Sequence, residues 1–297
     1  MKEFKYLLPA TLDEAISLME SHKDTARYIA GGTDVIVNIK EGKLAPDYLI
    51  SLKKIPELDV LKLSRDSGEL HIGSLATHHT LETSSMIQLN YPAIYDAVSN
   101  IGSLQIRNVA TIGGNIVNAV PSADGPIPLI LMDAKVMFFG LKGSQTLELS
   151  EFFVGPGQTV LKYTDILTRI IIPKPAPNTG SAYIKFGRRA AMELPIVGIG
   201  VLLETDNDIK VCKKARICLG VAGPTPLRAR EAEDFLINKT LDPDLLEKAG
   251  KIAARESKVR DSIRGLAWYR REMINVQVKR MGLKCLERID KKHITET

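Results

Sequence analysis

The chain has 297 residues, 44% of them hydrophobic and 25% charged, an ordinary balance for a globular protein with one or two sizeable cores. Its net charge of +5 is small for that length, and the basic residues are dispersed, so no nucleic-acid-binding stripe is present. No apolar run approaches the roughly 20 residues of a membrane span. The N-terminus, MKEFKYLLPATLDEA, lacks a signal-peptide core, so a cytoplasmic protein is expected.

In chain order, residues 4–8 predict a strand. Thr11 and Glu14 form a capping-box pattern ahead of a helix whose apolar face holds Ala15, Leu18 and Met19. A short strand over 27–30 then runs into Gly31-Gly32-Thr33-Asp34, followed by a helical stretch from Val35. A glycine pair at a strand-to-helix junction leaves backbone amides pointing outward, where an anion is favoured. It lacks the GxGxxG spacing and the Walker lysine, and by itself it fits a tight turn as well.

Residues 48–52 predict a strand, and 58–63 with 69–73 a hairpin. Helices are expected near 77–81 and over 91–100. The segment 101–128, IGSLQIRNVATIGGNIVNAVPSADGPIP, is the densest in chemistry. Thr111, Gly113, Gly114 and Asn115 predict a second turn, in which a missing Cβ lets backbone approach a ligand. Asn118, Ser122 and Asp124 follow on an otherwise apolar stretch and need partners. Asp124 would repel phosphate; it suits a ribose hydroxyl or an adenine edge, or the N-cap of a helix over 127–132.

Strands are predicted over 135–139, 146–149 and 166–172. Pro173, Pro175 and Pro177 exclude helix and central strand, which places a domain boundary there. Beyond it come strands over 182–186, 196–203 and 209–219, then helices over 227–236, 243–256 and 263–281. The last is expected to bury Ile263, Leu266, Ala267, Ile274, Val278 and Met281, with Arg270, Arg271 and Lys279 mostly off that face.

Cys212, Cys218 and Cys285 form no CxxC pair and are too few for the four thiolates of an iron–sulfur cluster, so buried thiols are expected. His71, His78 and His79 have no companion ligands and read as surface histidines. No nucleophile, acid–base pair or metal site stands out. Lys185, in AYIKFGRRA, could stabilise negative charge on a reduced flavin or sit at a solvated strand end. Ligand-gripping loops without catalytic side chains favour a redox cofactor that carries its own chemistry.

The stretches AGGTDVIVNIK, IGSLATHHTLE and QIRNVATIGGNIVNAVPSADGPIPLIL resemble the FAD-binding medium subunit of the molybdenum hydroxylases, the family of xanthine and carbon monoxide dehydrogenases. The likeness continues through GPGQTVLKYTDILTRIIIP, AYIKFGRRAAMELPIVGIGVLLE, ICLGVAGPTPLRAREAE and DSIRGLAWYRREM, and so spans the chain. It implies an α+β fold. A two-part FAD-binding domain of the vanillyl-alcohol-oxidase (PCMH) type would occupy residues 1–173, with subdomains about 1–55 and 56–173. A C-terminal α+β domain, a three-stranded sheet with a helical bundle, would occupy 178–285, and 286–297 would form a tail.

The resemblance also implies cofactor contacts. Ala30, Gly31, Gly32, Thr33, Asp34 and Val35 match a pyrophosphate loop, and Thr111, Gly114, Asn115 and Val117 match a second loop. Ile101 and Gly102 match positions near the cofactor, and Asp124 matches an adenosine contact. Ile166, Leu167 and Lys185 match positions near the flavin. No catalytic residue and no metal ligand is implied on this chain. Molybdopterin and two-iron clusters would sit on a large and a small partner subunit, with NAD or a quinone as acceptor. Val120 replaces a serine common in relatives, which removes one hydroxyl. A stand-alone FAD-dependent oxidoreductase and a non-redox nucleotide-binding subunit are the rival readings.

Overall fold

The computed structural model describes residues 2–296. The chain folds into two compact units that do not follow a single cut along the sequence. The first comprises residues 1–81, 103–119 and 134–174; the second comprises 82–102, 120–133 and 175–297.

The first unit holds two sheets. In one, strand Tyr48–Ser51 lies between Lys5–Leu7 and Ala26–Ile29, parallel to both. Successive side chains of a strand point to opposite faces. Accordingly Ile50 packs with Ala15, Ile16 and Met19 of helix Leu12–His22, and Leu49 packs with Ile39 of helix Val35–Lys40. The first of these helices is capped as its sequence predicts: the Glu14 amide donates to Thr11 Oγ1 at 3.2 Å, and Glu14 Oε2 accepts from the Ala10 amide at 2.8 Å. The second sheet is antiparallel, with Ile166–Ile172 at its centre. Leu70–Gly73 and then Leu61–Leu63 lie on one side of it, Lys135–Gly140 and then Gly143–Glu148 on the other.

In the second unit, strands Thr179–Phe186, Val197–Thr205 and Cys212–Gly220 pair antiparallel, and the two-residue strand Leu227–Arg228 adds a fourth. Gly180 and Ala182 face the helices Pro243–Glu256 and Ala267–Glu296. Ser181, Tyr183 and Lys185 therefore point to the other face. Helix Pro126–Leu131 packs on that face, where a Cβ on Gly200 would meet Leu131 Cδ1 at 2.5 Å.

The last helix departs from expectation at both ends. It starts at Ala267, and it continues through Glu296, across the residues expected as a tail; Thr297 lies outside the described residues. Arg288 shows why the extension is kept. Its guanidinium makes a bidentate pair with Asp96, at 2.7 and 2.9 Å, and also donates to Ser181 O. That pair anchors residues 82–102 within the second unit. Arg270, expected off the apolar face, is 2% exposed. The three cysteines are free and buried. Among the described residues no helix is long and apolar enough to cross a membrane.

Candidate functional site

In the first unit, strand Ala26–Ile29 ends, the chain turns through Ala30 to Asp34, and a helix begins at Val35. Gly32 has φ +78°, a left-handed conformation that glycine adopts without strain. A Cβ on Gly31 would collide with the carbonyl of Val109 and lie 3.0 Å from Ala110 Cα. The fold therefore brings the two glycine-rich segments together, with Gly31 against the residues that lead into Thr111. Among the described residues, the amides of Gly32, Thr33 and Asp34 donate to no protein group. Thr33 is half-buried and Asp34 exposed. Val35 packs beside Ile29, Ile39 and Leu49.

The second glycine pair is not a turn. Gly113 and Gly114 lie in the first turn of helix Ile112–Val117, capped by Thr111, whose Oγ1 accepts from the Gly114 amide at 3.0 Å. The Ile112 amide donates to Ala76 O and the Gly113 amide to Ser74 O, each at 3.0 Å. The amides of this segment are thus already used. What it offers is surface without side chain. The two glycines divide the work. A Cβ on Gly113 would sit 2.5 Å from Ser74 Cβ, so the fold itself needs that glycine. A Cβ on Gly114 would meet only Thr111 Oγ1, at 3.0 Å. Asn115 is half-buried, and Val117 is exposed on the same helix. Ile166 is buried in the cluster that Ala30 also joins, and its neighbour Leu167 is buried too.

In the second unit, Lys185 donates to Asp124 Oδ2 at 2.9 Å and to Asn100 O at 3.1 Å, which sets it beside Ile101 and Gly102. Tyr183 donates to Asp124 Oδ1 at 2.5 Å. Asp124 is therefore not a helix cap; Gly125 holds that position, and no side chain caps the helix. Burial pushes the Asp124 carboxyl up, opposed by the Lys185 ammonium and the Tyr183 hydroxyl. Burial, and then Asp124 itself, pushes the Tyr183 phenol well up. Sequence reading missed Tyr183. The available signal was its place two residues before Lys185 on a strand, which puts both side chains on one face. Val120 is half-exposed, on a segment where no strand or helix holds it.

His78 is a second correction. It is fully buried, not a surface residue, and both its ring nitrogens lack hydrogen-bond partners. Burial, with the nearby Arg107 charge, lowers its pKa to about 4 from 6.5. The unfolded chain thus binds a proton that the folded chain refuses between those values, so stability falls as pH drops through that window. Urea unfolding at pH 7 and at pH 4 is expected to show the wild type losing about 3 kcal/mol more than His78→Leu over that interval. Equal losses in the two proteins would show that His78 is not what titrates. Among the described residues, no group of three or more His, Cys, Asp or Glu side chains is placed to hold a metal ion.

Comparison with known proteins places these features in a family context. The family profile described as "FAD binding domain in molybdopterin dehydrogenase" matches residues 2–175. The profile described as "CO dehydrogenase flavoprotein C-terminal domain" matches residues 181–285. The chain is 31% identical to the nicotinate dehydrogenase FAD-subunit of Eubacterium barkeri, covering 98% of each chain. It is 33% identical to the xanthine dehydrogenase FAD-binding subunit of Escherichia coli O157:H7, covering 93% of this chain and 94% of that one. Its fold is similar to that of a chain of carbon monoxide dehydrogenase from Hydrogenophaga pseudoflava. There the TM-score is 0.90 at 29% identity, over 96% of this chain and 98% of that one.

Proposed function

The chain belongs to the family of FAD-binding subunits of the molybdopterin dehydrogenases, and from that membership we propose that it is the flavoprotein electron-transfer subunit of a molybdenum-containing hydroxylase or dehydrogenase. When bound, FAD would supply a redox centre through which electrons could pass from an iron–sulfur cluster on a partner to an external acceptor such as NAD or a quinone. The proposed partners are a small iron–sulfur subunit and a large molybdopterin subunit. The three buried free thiols suit a reducing cytoplasm.

One observation carries the reading. The unused amides of Gly32, Thr33 and Asp34 lie on a loop packed against the segment that leads to Gly114, whose missing Cβ the fold does not itself require. Three amides without a protein acceptor suit the anionic pyrophosphate of FAD, since they can hydrogen-bond a charged oxygen that water would otherwise solvate. Gly31 and Val35 position that loop, and Thr111 fixes the start of the helix bearing Gly114, Asn115 and Val117. Ala30, Ile166 and Leu167 would supply apolar support from the same unit. The family resemblance adds Ile101, Gly102, Asp124 and Lys185 as proposed cofactor contacts. Lys185 would hold positive charge toward a reduced flavin, kept in place by Asp124 and the Asn100 carbonyl.

Gly114→Val tests the site apart from the fold. The variant is expected to purify with less than about one tenth of the wild-type FAD, while its melting temperature falls by no more than roughly 4 °C, the size expected of a 1 kcal/mol change. Stoichiometric FAD in the variant would show that Gly114 does not face the cofactor.

A further inference from the structure

Part of the second unit carries apolar side chains that its core does not use. Ile263, expected on the buried face of the last helix, is 98% exposed. Trp268 is 64% exposed, Met192 58%, Leu266 51% and Leu194 50%. These residues sit on two segments, 187–195 and 258–268, and Arg270 holds the segments side by side. Its buried guanidinium donates to Ile196 O at 2.6 Å, to Ser262 Oγ at 2.6 Å and to Gly265 O at 3.3 Å. The Tyr269 and Phe186 rings meet with centroids 6.3 Å apart across the same junction. Glu193 closes the first segment, accepting from the amides of Arg188 and Arg189 at 2.5 and 2.7 Å. The apolar groups therefore stand on pinned backbone. A surface ordered before binding loses little entropy on association.

The charge around this surface is mostly positive, with Asp261 and Glu272 as its exposed acids. Arg189, Arg260, Arg264 and Arg271 lie on or next to the two segments, and none of them forms an ion pair among the described residues. Of the acids on and next to these segments, Glu193 pairs with Arg188 at 2.9 Å and Asp261 accepts from the Ala267 amide, while Glu272, four residues after Trp268, is exposed. Arg270 is buried with neutral oxygens alone as partners, and Arg264 Nε is buried with none. Burial first, and then the like charges of Arg264 and Arg260, makes Arg270 a weaker base than a free arginine. Asp261 offsets this only in part, and a further carboxylate would relieve it.

We propose that Ile263, Trp268 and Leu266, with these arginines on the same segments, dock a partner chain of the dehydrogenase complex through an apolar surface edged with carboxylates. The proposal rests on the complex put forward above. A second copy of this chain is a poor occupant, because it also carries a net charge of +5 and would bring arginine against arginine. Trp and Arg are also the residue types that most often dominate binding energy at an interface.

The test uses the whole complex, with the chain co-expressed with its partner subunits and purified through a tag on this chain. Two variants are compared with wild type by native mass spectrometry and by partner titration: Ile263→Asp combined with Trp268→Ala, and Arg264→Glu alone. The double variant is expected to keep stoichiometric FAD and the wild-type melting temperature, and to bind its partners at least 30-fold more weakly, the ratio for about 2 kcal/mol. Arg264→Glu should weaken binding at low salt and less so at high salt. Unchanged partner affinity in both variants overturns the docking surface and leaves the assigned function standing. A wild-type chain that assembles with no partner overturns both. Loss of self-association alone, with hetero-assembly intact, identifies a second copy as the occupant and overturns the proposal.

Discussion

Gly31→Ala is expected to destabilise the chain by about 3 kcal/mol and to remove stoichiometric FAD. The new Cβ would strike the Val109 carbonyl, and Val109 C lies 2.8 Å away. Adding a methyl group to a packed site costs 1–3 kcal/mol when side chains can shift, and here the obstacle is backbone, so the upper end applies. That backbone has little freedom to retreat. Ala110 O accepts from the His78 amide at 3.0 Å, and the Ala110 amide donates to Ile106 O at 2.8 Å. Two residues on, Ile112 is tied to Ala76, and Gly113 to Ser74, whose amide donates to Thr168 O of the central strand. The loop carrying Gly32, Thr33 and Asp34 would have to swing away instead, carrying the proposed pyrophosphate amides with it. Urea unfolding and flavin absorbance of the purified chain measure the two effects together. A Gly31→Ala protein with wild-type stability and full FAD would mean that the two glycine segments are not packed as described. Gly114→Ala is the control, expected to cost less than about 1 kcal/mol, because one side-chain oxygen is the only near neighbour.

Local signals were legible in the sequence, and long-range ones were not. Helix Pro243–Glu256 falls where it is predicted, because proline opens it and a capping Asp242 accepts from the Leu245 amide. The Thr11 capping box and the strand at Ile166–Ile172 are likewise written in adjacent residues. The Gly113-Gly114 pair misled, since glycine signals a turn locally, whereas Thr111 and the carbonyls of Ser74 and Ala76 impose a helix. The last helix begins late for a similar reason. Ser262 and Gly265 bond each other's amides at 3.1 Å in a turn, which leaves Ile263 outside the helix. Arg270 and His78 have side chains that favour the surface in any residue-by-residue reading, and only contacts distant in sequence bury them. The discontinuous make-up of both units has the same origin. The Asp96–Arg288 pair joins residues 192 apart, and no periodicity encodes it. The glycines and Asp124 stand out by residue type, whereas Lys185 fits a solvated strand end as well and is linked to the flavin only by the family resemblance. That Asp124 and Lys185 meet, with Tyr183 as a third member, is a property of the folded sheet.

Lys185→Met is expected to cost about 3 kcal/mol at pH 8, because removing one partner of a buried pair leaves the other charge uncompensated. Asp124 is 5% exposed, so its carboxylate would keep one hydrogen bond, from Tyr183, and no cation. Methionine roughly fills the lysine stem, so lost packing contributes little. The pH dependence separates this cause from a general loosening of the fold. Burial already pushes the Asp124 pKa above its usual value, and losing the lysine pushes it further. A carboxyl whose folded pKa is raised binds more protons folded than unfolded, so the variant gains stability as pH falls and loses it as pH rises through that pKa. The penalty should therefore shrink to about 1 kcal/mol near pH 4, where the folded carboxyl takes up its proton and the unfolded one is about half protonated. Adding Asp124→Asn should restore most of the loss, to within about 1 kcal/mol of wild type, because a neutral amide oxygen can still accept from Tyr183 without a buried charge. The double variant should also show no pH dependence beyond that of the wild type. Urea unfolding of the three proteins at pH 4, 6 and 8 decides the matter. A Lys185→Met penalty that is the same at every pH would mean that the lysine stem, and not the charge on Asp124, holds this part of the second unit together.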